Sequence, residues 1–240
     1  EHQRPRLPVA VHLARAIVRR HAASLALRPV RESSVLDWAA MSEPTGTRVP
    51  LAPVEAERYR EVMGRFVTGV TVVTSMVQTQ AGAHPWGTTV NAFTSVSLDP
   101  PLVLVCIGRE RSIHDVIGRA GRFAVNILAE ESQGLSDCFS GAPSDLPRSA
   151  FCGAAYRVGG TGVPILEAAV AHLECAVERV LDAGDHTIYL ARVVDLGVSD
   201  VHPLPLLYYR GRYLRIERAA SSELMGKPDE RYPEGRDIPI

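Results

Sequence analysis

GVTVVTSMVQTQAGAHPWGTTVNAFTSVS, running from Gly69 to Ser97, is the stretch whose reading decides the fold. It is rich in β-branched residues and pivots on Thr88-Thr89-Val90-Asn91-Ala92-Phe93-Thr94-Ser95, so strands are expected on both sides of that pivot. A strand that only fills a core alternates apolar with polar residues or is apolar throughout. Here small hydroxyl and amide side chains sit next to one another on both faces, which suits polar groups that meet a ligand. A solvated edge strand has the same look, and the residues alone leave both readings open.

The rest of the chain sets bounds around that stretch. With 240 residues and 46% hydrophobic content, it can bury one substantial core, and β-rich chains of this length are usually single domains. A net charge of -1 gives no electrostatic case for nucleic acid or an anionic membrane surface. Lys227 is the only lysine, which excludes a phosphate-binding loop built on lysine. Cys106, Cys138, Cys152 and Cys175 show no C-x-x-C pairing and no His at zinc-ligand spacing, so no metal site is expected. All four are read as structural; Cys106 and Cys175 sit inside apolar strand patterns where a reduced thiol behaves as a small hydrophobe, and a reducing cytoplasm fits best. The longest apolar runs, near Val67 to Val77 and Pro101 to Ile107, are strand length rather than membrane length.

Composition changes along the chain. From His2 to Arg31 there is no acid but seven arginines, with Val11, Ala14, Val18, Ala22 and Leu25 at approximate helical spacing. Residues 1–52 are read as a poorly ordered, Arg-rich upstream extension and linker, with a start at Met41 preferred over a targeting segment. The domain proper is expected over residues 53–217. Pro53 suits the first turn of a helix in which Tyr59, Val62, Met63 and Phe66 recur on one face and Glu61 pairs with Arg65. Strands are expected at Gly69 to Val77, Gly87 to Val96, Leu102 to Ile107, Phe123 to Leu128, Ala169 to Leu181, Thr187 to Val198 and Leu206 to Ile216. Helices are expected at Ser112 to Ala120 and Glu130 to Phe139, with an irregular connection from Gly141 to Gly162. Residues 218–240 read as a polar tail.

Several local patterns carry chemistry. Arg109 and Arg111 precede a helix with Ser112 read as its N-cap and Asp115 as the far half of a capping box, an arrangement that suits an anion. Gly184-Asp185-His186 reads as a turn with a histidine at the start of a strand. Gly159-Gly160-Thr161-Gly162 is followed by Val-Pro rather than a helix, so it is not a Rossmann turn. Glu174 and Glu178 share a strand face and are expected to be solvated. Phe139 and Phe151 flank the irregular connection and suit either an aromatic wall or a core.

Four of these segments, in this order, closely resemble the flavin reductase family, the split barrels that supply reduced flavin to two-component monooxygenases. They are Thr88 to Ser95 continued by Leu98-Asp99-Pro100-Pro101-Leu102-Val103-Leu104-Val105-Cys106, then Arg109 to Asp115, then Gly184-Asp185-His186, then Pro205 to Tyr213. The resemblance implies a mainly β fold, a six-stranded antiparallel split β-barrel with a few flanking helices. It implies a homodimer that oxidises NADH or NADPH, reduces FMN or FAD and passes reduced flavin to a monooxygenase component. The flavin-binding set expected on this resemblance is Thr88, Thr89, Val90, Asn91, Ala92, Phe93, Thr94, Ser95, Cys106, Arg109, Arg111, Ser112, His114, His186, Tyr209, Arg210 and Arg212 from the motifs, with Asn126 and Phe139 from outside them. His186 also takes the catalytic role, on the nicotinamide side. The rival from another class is a carrier or sensor that holds flavin or haem without turnover, and a second is an oxidase working on a bound flavin. Trp86 departs from the family pattern, which often has a smaller residue before Gly87.

Overall fold

The computed structural model describes residues 52–80, 82–147, 151–200 and 204–216. The extension up to residue 51 and the tail over 218–240 lie outside the described residues. Helix α1 (Ala56–Met63) leads into strands β1 (Thr68–Gly69), β2 (Thr71–Thr79), β3 (Gly82–Val90), β4 (Phe93–Leu98) and β5 (Pro101–Gly108). Then come helix α2 (Ser112–Ala120), strand β6 (Arg122–Leu128), a 3-10 turn at Glu130–Ser132, and helix α3 (Gln133–Ser140). A second 3-10 turn (Phe151–Gly153) precedes β7 (Tyr156–Val158), β8 (Pro164–Leu166), β9 (Ala169–Ala183), β10 (His186–Val198), β11 (Leu207–Tyr209) and β12 (Arg212–Leu214).

Seven strands form one antiparallel sheet in the order β3-β2-β6-β9-β10-β5-β4, one strand more than the six expected. The difference arises in the opening stretch. The strand expected over Gly87 to Val96 is two strands, because Asn91 and Ala92 interrupt it, with β3 pairing β2 and β4 pairing β5 at the opposite edge. Laid flat, seven strands would separate those edges by about 29 Å at the usual interstrand spacing. Three Cα steps from Val90 to Phe93 span at most about 11 Å. The sheet therefore has to curl until its two edges meet, and with no ladder joining β3 to β4 the barrel stays split. Beside the crossing, Thr71 donates its hydroxyl to the Val90 carbonyl at 2.6 Å and the Cys106 N–H bonds the Ala92 carbonyl at 3.0 Å.

Two cores lie against this curled sheet. One gathers Val73, Val105, Ile107, Phe123, Val125 and Tyr189 around Ile113, Val116 and Ile117 of α2, whose i, i+3, i+4 spacing presents one apolar face. The other packs Val70, Val72, Leu128 and Leu206 under Cys138 and Phe139 of α3. Strand β2 runs between them, and its residues Thr71 to Met76 are all buried, so both faces are used.

Polar residues in this layer are spent on the fold. Asn126 is fully buried; its amide donates to the Val72 carbonyl and the Thr74 hydroxyl, both at 3.0 Å, and its carbonyl oxygen accepts the Leu166 N–H at 2.8 Å. With its groups satisfied inside, Asn126 holds the β7–β8 hairpin against the sheet and does not reach a surface cleft. Glu174 is also fully buried, against the expectation of a solvated face. It accepts the Gly160 N–H at 3.1 Å and the Thr161 N–H at 2.7 Å, along with the Thr161 hydroxyl. Burial works to raise its carboxyl, but those donors and the nearby His172 outweigh it and hold it below the usual carboxylate range. A side chain at Gly159 would overlap that carboxylate, so the Gly159 to Gly162 turn is a clamp on Glu174 and not a ligand loop. Glu178 pairs on the surface with Arg192.

Two other expectations change. Leu206 to Ile216 is a hairpin rather than one strand: β11 and β12 reverse at Arg210 and Gly211, both in the left-handed region at φ +49° and +77°, and β11 pairs with β1. Helix α1 forms with its Glu61–Arg65 pair at 3.0 Å, yet Tyr59, Val62 and Phe66 stay exposed. We predict that Asn126→Ala lowers stability by about 3 kcal/mol, the cost of orphaning buried partners. Urea unfolding should show a lower midpoint, with flavin affinity of the folded protein unchanged; weakened affinity at an unchanged midpoint would return Asn126 to the site.

Candidate functional site

A cleft of about 630 Å³ opens between the second half of β3, the start of α2, the end of α3 and the 3-10 turn at Phe151–Gly153. Its floor is built by the absence of a side chain. A Cβ at Gly87 would meet the Phe139 ring at 2.6 Å and Phe151 at 3.3 Å, so only glycine lets β3 run this close beneath the rings. Phe139 and Phe151 stand edge to face at 5.0 Å between centroids, and Phe151 and Tyr156 do so at 5.2 Å. Trp86 and Thr88 line the same cleft. The result is an aromatic wall beside a strand edge.

The wall also holds a bond that the cysteine pattern did not reveal. Cys138 and Cys152 are joined by a disulfide, both buried at the cleft, where the sequence pattern and the expectation of a reducing setting point to no bridge. Their separation of 14 residues across an irregular connection carries no local signal, because only the fold of that connection brings them together. Cys106 and Cys175 are free. Burial pushes the Cys175 thiol up to about 12, with Glu174 adding to it, and burial also raises Cys106.

At the opposite side of the cleft lies the N-terminus of α2. The N-cap is Arg111, in extended conformation, and Ser112 is already the first helical residue; no side chain caps the helix. The capping box expected from Ser112 and Asp115 does not form, because Ser112 has entered the helix and Asp115 faces His114 Nδ1 at 3.4 Å. The His114 N–H already bonds the Arg111 carbonyl at 2.9 Å, which leaves the Ser112 and Ile113 N–H groups to face an anion, supported by the helix dipole. Arg111 lines the cleft and donates to the Ser140 carbonyl at 3.0 Å, at the C-terminal end of α3, while its Nε lies 3.3 Å from Glu110. Arg109 points elsewhere, to Asp182 at 2.9 Å.

The remaining candidates fall into three groups. Thr88 and Val90 are buried, and Thr89 donates its hydroxyl to the Ser136 carbonyl at 2.6 Å, whereas Asn91, Ala92, Thr94 and Ser95 are exposed at the edge crossing and Phe93 is half-buried. His186 opens β10 opposite Gly108, next to Arg109; its Nδ1 lies 2.7 Å from Asp185 Oδ1. That hydrogen bond, with the attraction of His186 behind it, holds the Asp185 carboxyl below its usual range. His114 instead places Nε2 2.9 Å from the Thr187 hydroxyl, and its carbonyl accepts the buried Tyr189 hydroxyl at 3.1 Å. Tyr209, Arg210 and Arg212 lie on the β11–β12 hairpin. It reaches α3 through Tyr213, whose hydroxyl contacts Asp137 at 3.0 Å and Ser136 at 2.9 Å.

A curled antiparallel barrel with an aromatic cleft and an uncapped, arginine-flanked helix end defines the class of flavin-binding split barrels. Residues 63–217 match the flavin reductase like domain, and the chain belongs to that family. It is 38% identical over 187 residues to an NADH-dependent flavin reductase of a Rhodococcus species, covering 78% of this chain and 99% of that protein. It is likewise 38% identical over 179 residues to the reductase subunit HsaB of a flavin-dependent monooxygenase from Rhodococcus jostii, covering 74% of this chain and 87% of the relative. Among solved structures, the NADH:FAD oxidoreductase SgcE6 of Streptomyces globisporus, in complex with NAD and FAD fragments, superposes with a TM-score of 0.59 at 34% identity, over 71% of this chain and 99% of that one.

The cleft suits a flavin by its own chemistry: a ring-sized space walled by aromatics, with an anion-seeking helix end at the opposite side. Arg111→Ala should weaken FMN binding by about 1 to 3 kcal/mol, the worth of a charge-assisted bond to phosphate, and affect riboflavin much less. Calorimetric titration with both ligands checks this, and equal losses would place the phosphate elsewhere.

Proposed function

We propose that the protein is an NADH-dependent flavin reductase that supplies reduced FMN or FAD to a monooxygenase component. The observation that carries this reading is the cleft itself, with aromatic rings and the β3 edge on one side and the open first turn of α2 with Arg111 on the other. A flavin bound there would supply the redox chemistry, as acceptor of the nicotinamide hydride. The protein's own residues position and exclude. Of the residues lining the cleft, Thr88 and the β3 edge would hydrogen-bond the ring, Phe139 and Phe151 would exclude water from it, and Arg111 and Ser112 would hold the phosphate. His186, tethered by Asp185 at a strand end, orients the nicotinamide against the flavin, because hydride transfer depends on close, aligned rings.

The relatives named as NADH-dependent favour NADH over NADPH as donor, and reductase subunits among them favour a monooxygenase as recipient. Among the described residues no helix is long and apolar enough to cross a membrane. A carrier that never turns over would need no nicotinamide subsite. Anaerobic stopped-flow mixing with NADH separates the readings: wild-type protein should bleach bound FMN or FAD, and no bleaching would leave the carrier. His186→Ala should raise the Michaelis constant for NADH or slow bleaching while leaving the flavin dissociation constant unchanged. A wild-type rate in that variant would make His186 a plain turn residue.

The functional unit is a homodimer. Tyr59, Val62 and Phe66 are 59%, 59% and 69% exposed, and Leu196 and Val198 on β10 are 64% and 71% exposed, more apolar surface than a monomer usually leaves open. A second copy covers these faces. Sedimentation equilibrium should give twice the mass of one chain, and a single-chain mass at micromolar concentration would rule the dimer out.

A further inference from the structure

The Cys138–Cys152 bridge belongs to the wall of the cleft and has no part in the chemistry described above. Building on the flavin reading, we propose that it is a latch: the bridge holds the Phe139–Phe151 wall in place and thereby sets how tightly flavin is held, and its reduction loosens the site.

Each half-cystine is the chain neighbour of a wall ring, Cys138 of Phe139 and Cys152 of Phe151. The two rings are in edge-to-face contact, so the sulfur link and the ring contact close one small circuit between α3 and the 3-10 turn. The backbone beyond the link is in a conformation it would not choose alone. Phe151 and Cys152 are consecutive non-glycine residues in the left-handed region, at φ +58° and +57°, which persists only where surrounding structure dictates it. Between the two cysteines the connection's side-chain bonds return to its own start: Ser140 Oγ donates to Asp137 and Ser144 Oγ to the Gly134 carbonyl. These fasten the near half of the connection to α3. Phe151 itself is held by the bridge at its neighbour Cys152, by its contacts with the Phe139 and Tyr156 rings, and by partial packing against the core under α3.

Cutting the link therefore leaves the Phe151 ring to be ordered when flavin binds, a cost that the bridged protein has already met. In a reducing compartment such a bond is transient and responsive, the setting in which cytosolic disulfides serve as sensors. The step is an exchange with an external dithiol: the S–S bond breaks, Cys138 and Cys152 each gain one electron and one proton, and the dithiol closes to its own disulfide. Cys106 and Cys175 lie in strands of the barrel and take no part.

The test compares FMN and riboflavin dissociation constants, by flavin fluorescence, for the full chain with the bridge formed, after treatment with dithiothreitol, and after reoxidation. Bridged protein should bind both ligands about fivefold more tightly than reduced protein, the worth of one ordered side chain, and reoxidation should restore the difference. The Cys138→Ser/Cys152→Ser protein should behave as the reduced form in either state; should it fail to fold, the reversible wild-type comparison decides alone. Phe151→Ala should bring the two states together, because the latch acts through that ring. Equal affinities in the two states, a thermal midpoint that moves with reduction while affinity does not, or four free thiols by mass in the oxidised protein, where the bridge leaves only Cys106 and Cys175 free, would each overturn the latch. Equal but firm binding would leave the flavin reading intact, whereas no binding in either state removes both.

Discussion

Everything else in the molecule depends on the shortness of one connection. Asn91 and Ala92 alone link β3 to β4, and those strands occupy opposite edges of a seven-stranded sheet. A link that short forces closure, and closure creates the interior that Ile113, Val116 and Ile117 of α2 fill. The helix must enter that interior by one apolar face, which fixes the direction of its N-terminus. The anion-seeking end of α2 beside the cleft follows from barrel closure, not from any preference of the loop that precedes it.

Helix α3 serves both of its sides. Phe139 and Cys138 look into the cleft, while Asp137 and Ser136 bond Tyr213 of the β11–β12 hairpin. The Ser136 carbonyl also accepts the Thr89 hydroxyl, so β3 is stitched to the same helix just beyond the cleft floor. Burial raises the Tyr213 phenol, and Asp137 adds to that, while the hydrogen bond with Ser136 opposes it. The phenol therefore stays protonated and able to donate. Through that phenol the β11–β12 hairpin braces α3.

The elements legible in the sequence were those whose cause is local. Ser112 to Ala120 has helical bounds matching the apolar spacing of Ile113, Val116 and Ile117, and the Glu61–Arg65 pair forms as its i, i+4 spacing requires. The errors came where a distant partner decides. Glu174 looked like a solvated acid because its donors, Gly160 and Thr161, come from a turn over ten residues earlier. Asn126 was named among the cofactor residues, yet the partners of its side chain, Val72, Thr74 and Leu166, come from two other strands. Ser112 was read as a cap because Ser is a good one, but the chain turns into the helix one residue earlier.

The exposed crossing explains why the polar stretch from Thr88 to Ser95 reads so differently from a core strand. Its two ends have separate employment. Thr88 lines the cleft and Thr89 bonds α3, while Asn91, Ala92, Thr94 and Ser95 sit at the open seam where two sheet edges approach without pairing. Unpaired edge groups at a seam invite either solvent, a ligand or another chain. In this molecule the seam continues from the cleft floor, so a ligand lying along β3 would meet polar backbone there without any further charged side chain. Hydroxyl and amide side chains suit that position because they accept water when the site is empty and tolerate a ring edge when it is filled. Apolar residues would do neither and would leave the seam prone to aggregation.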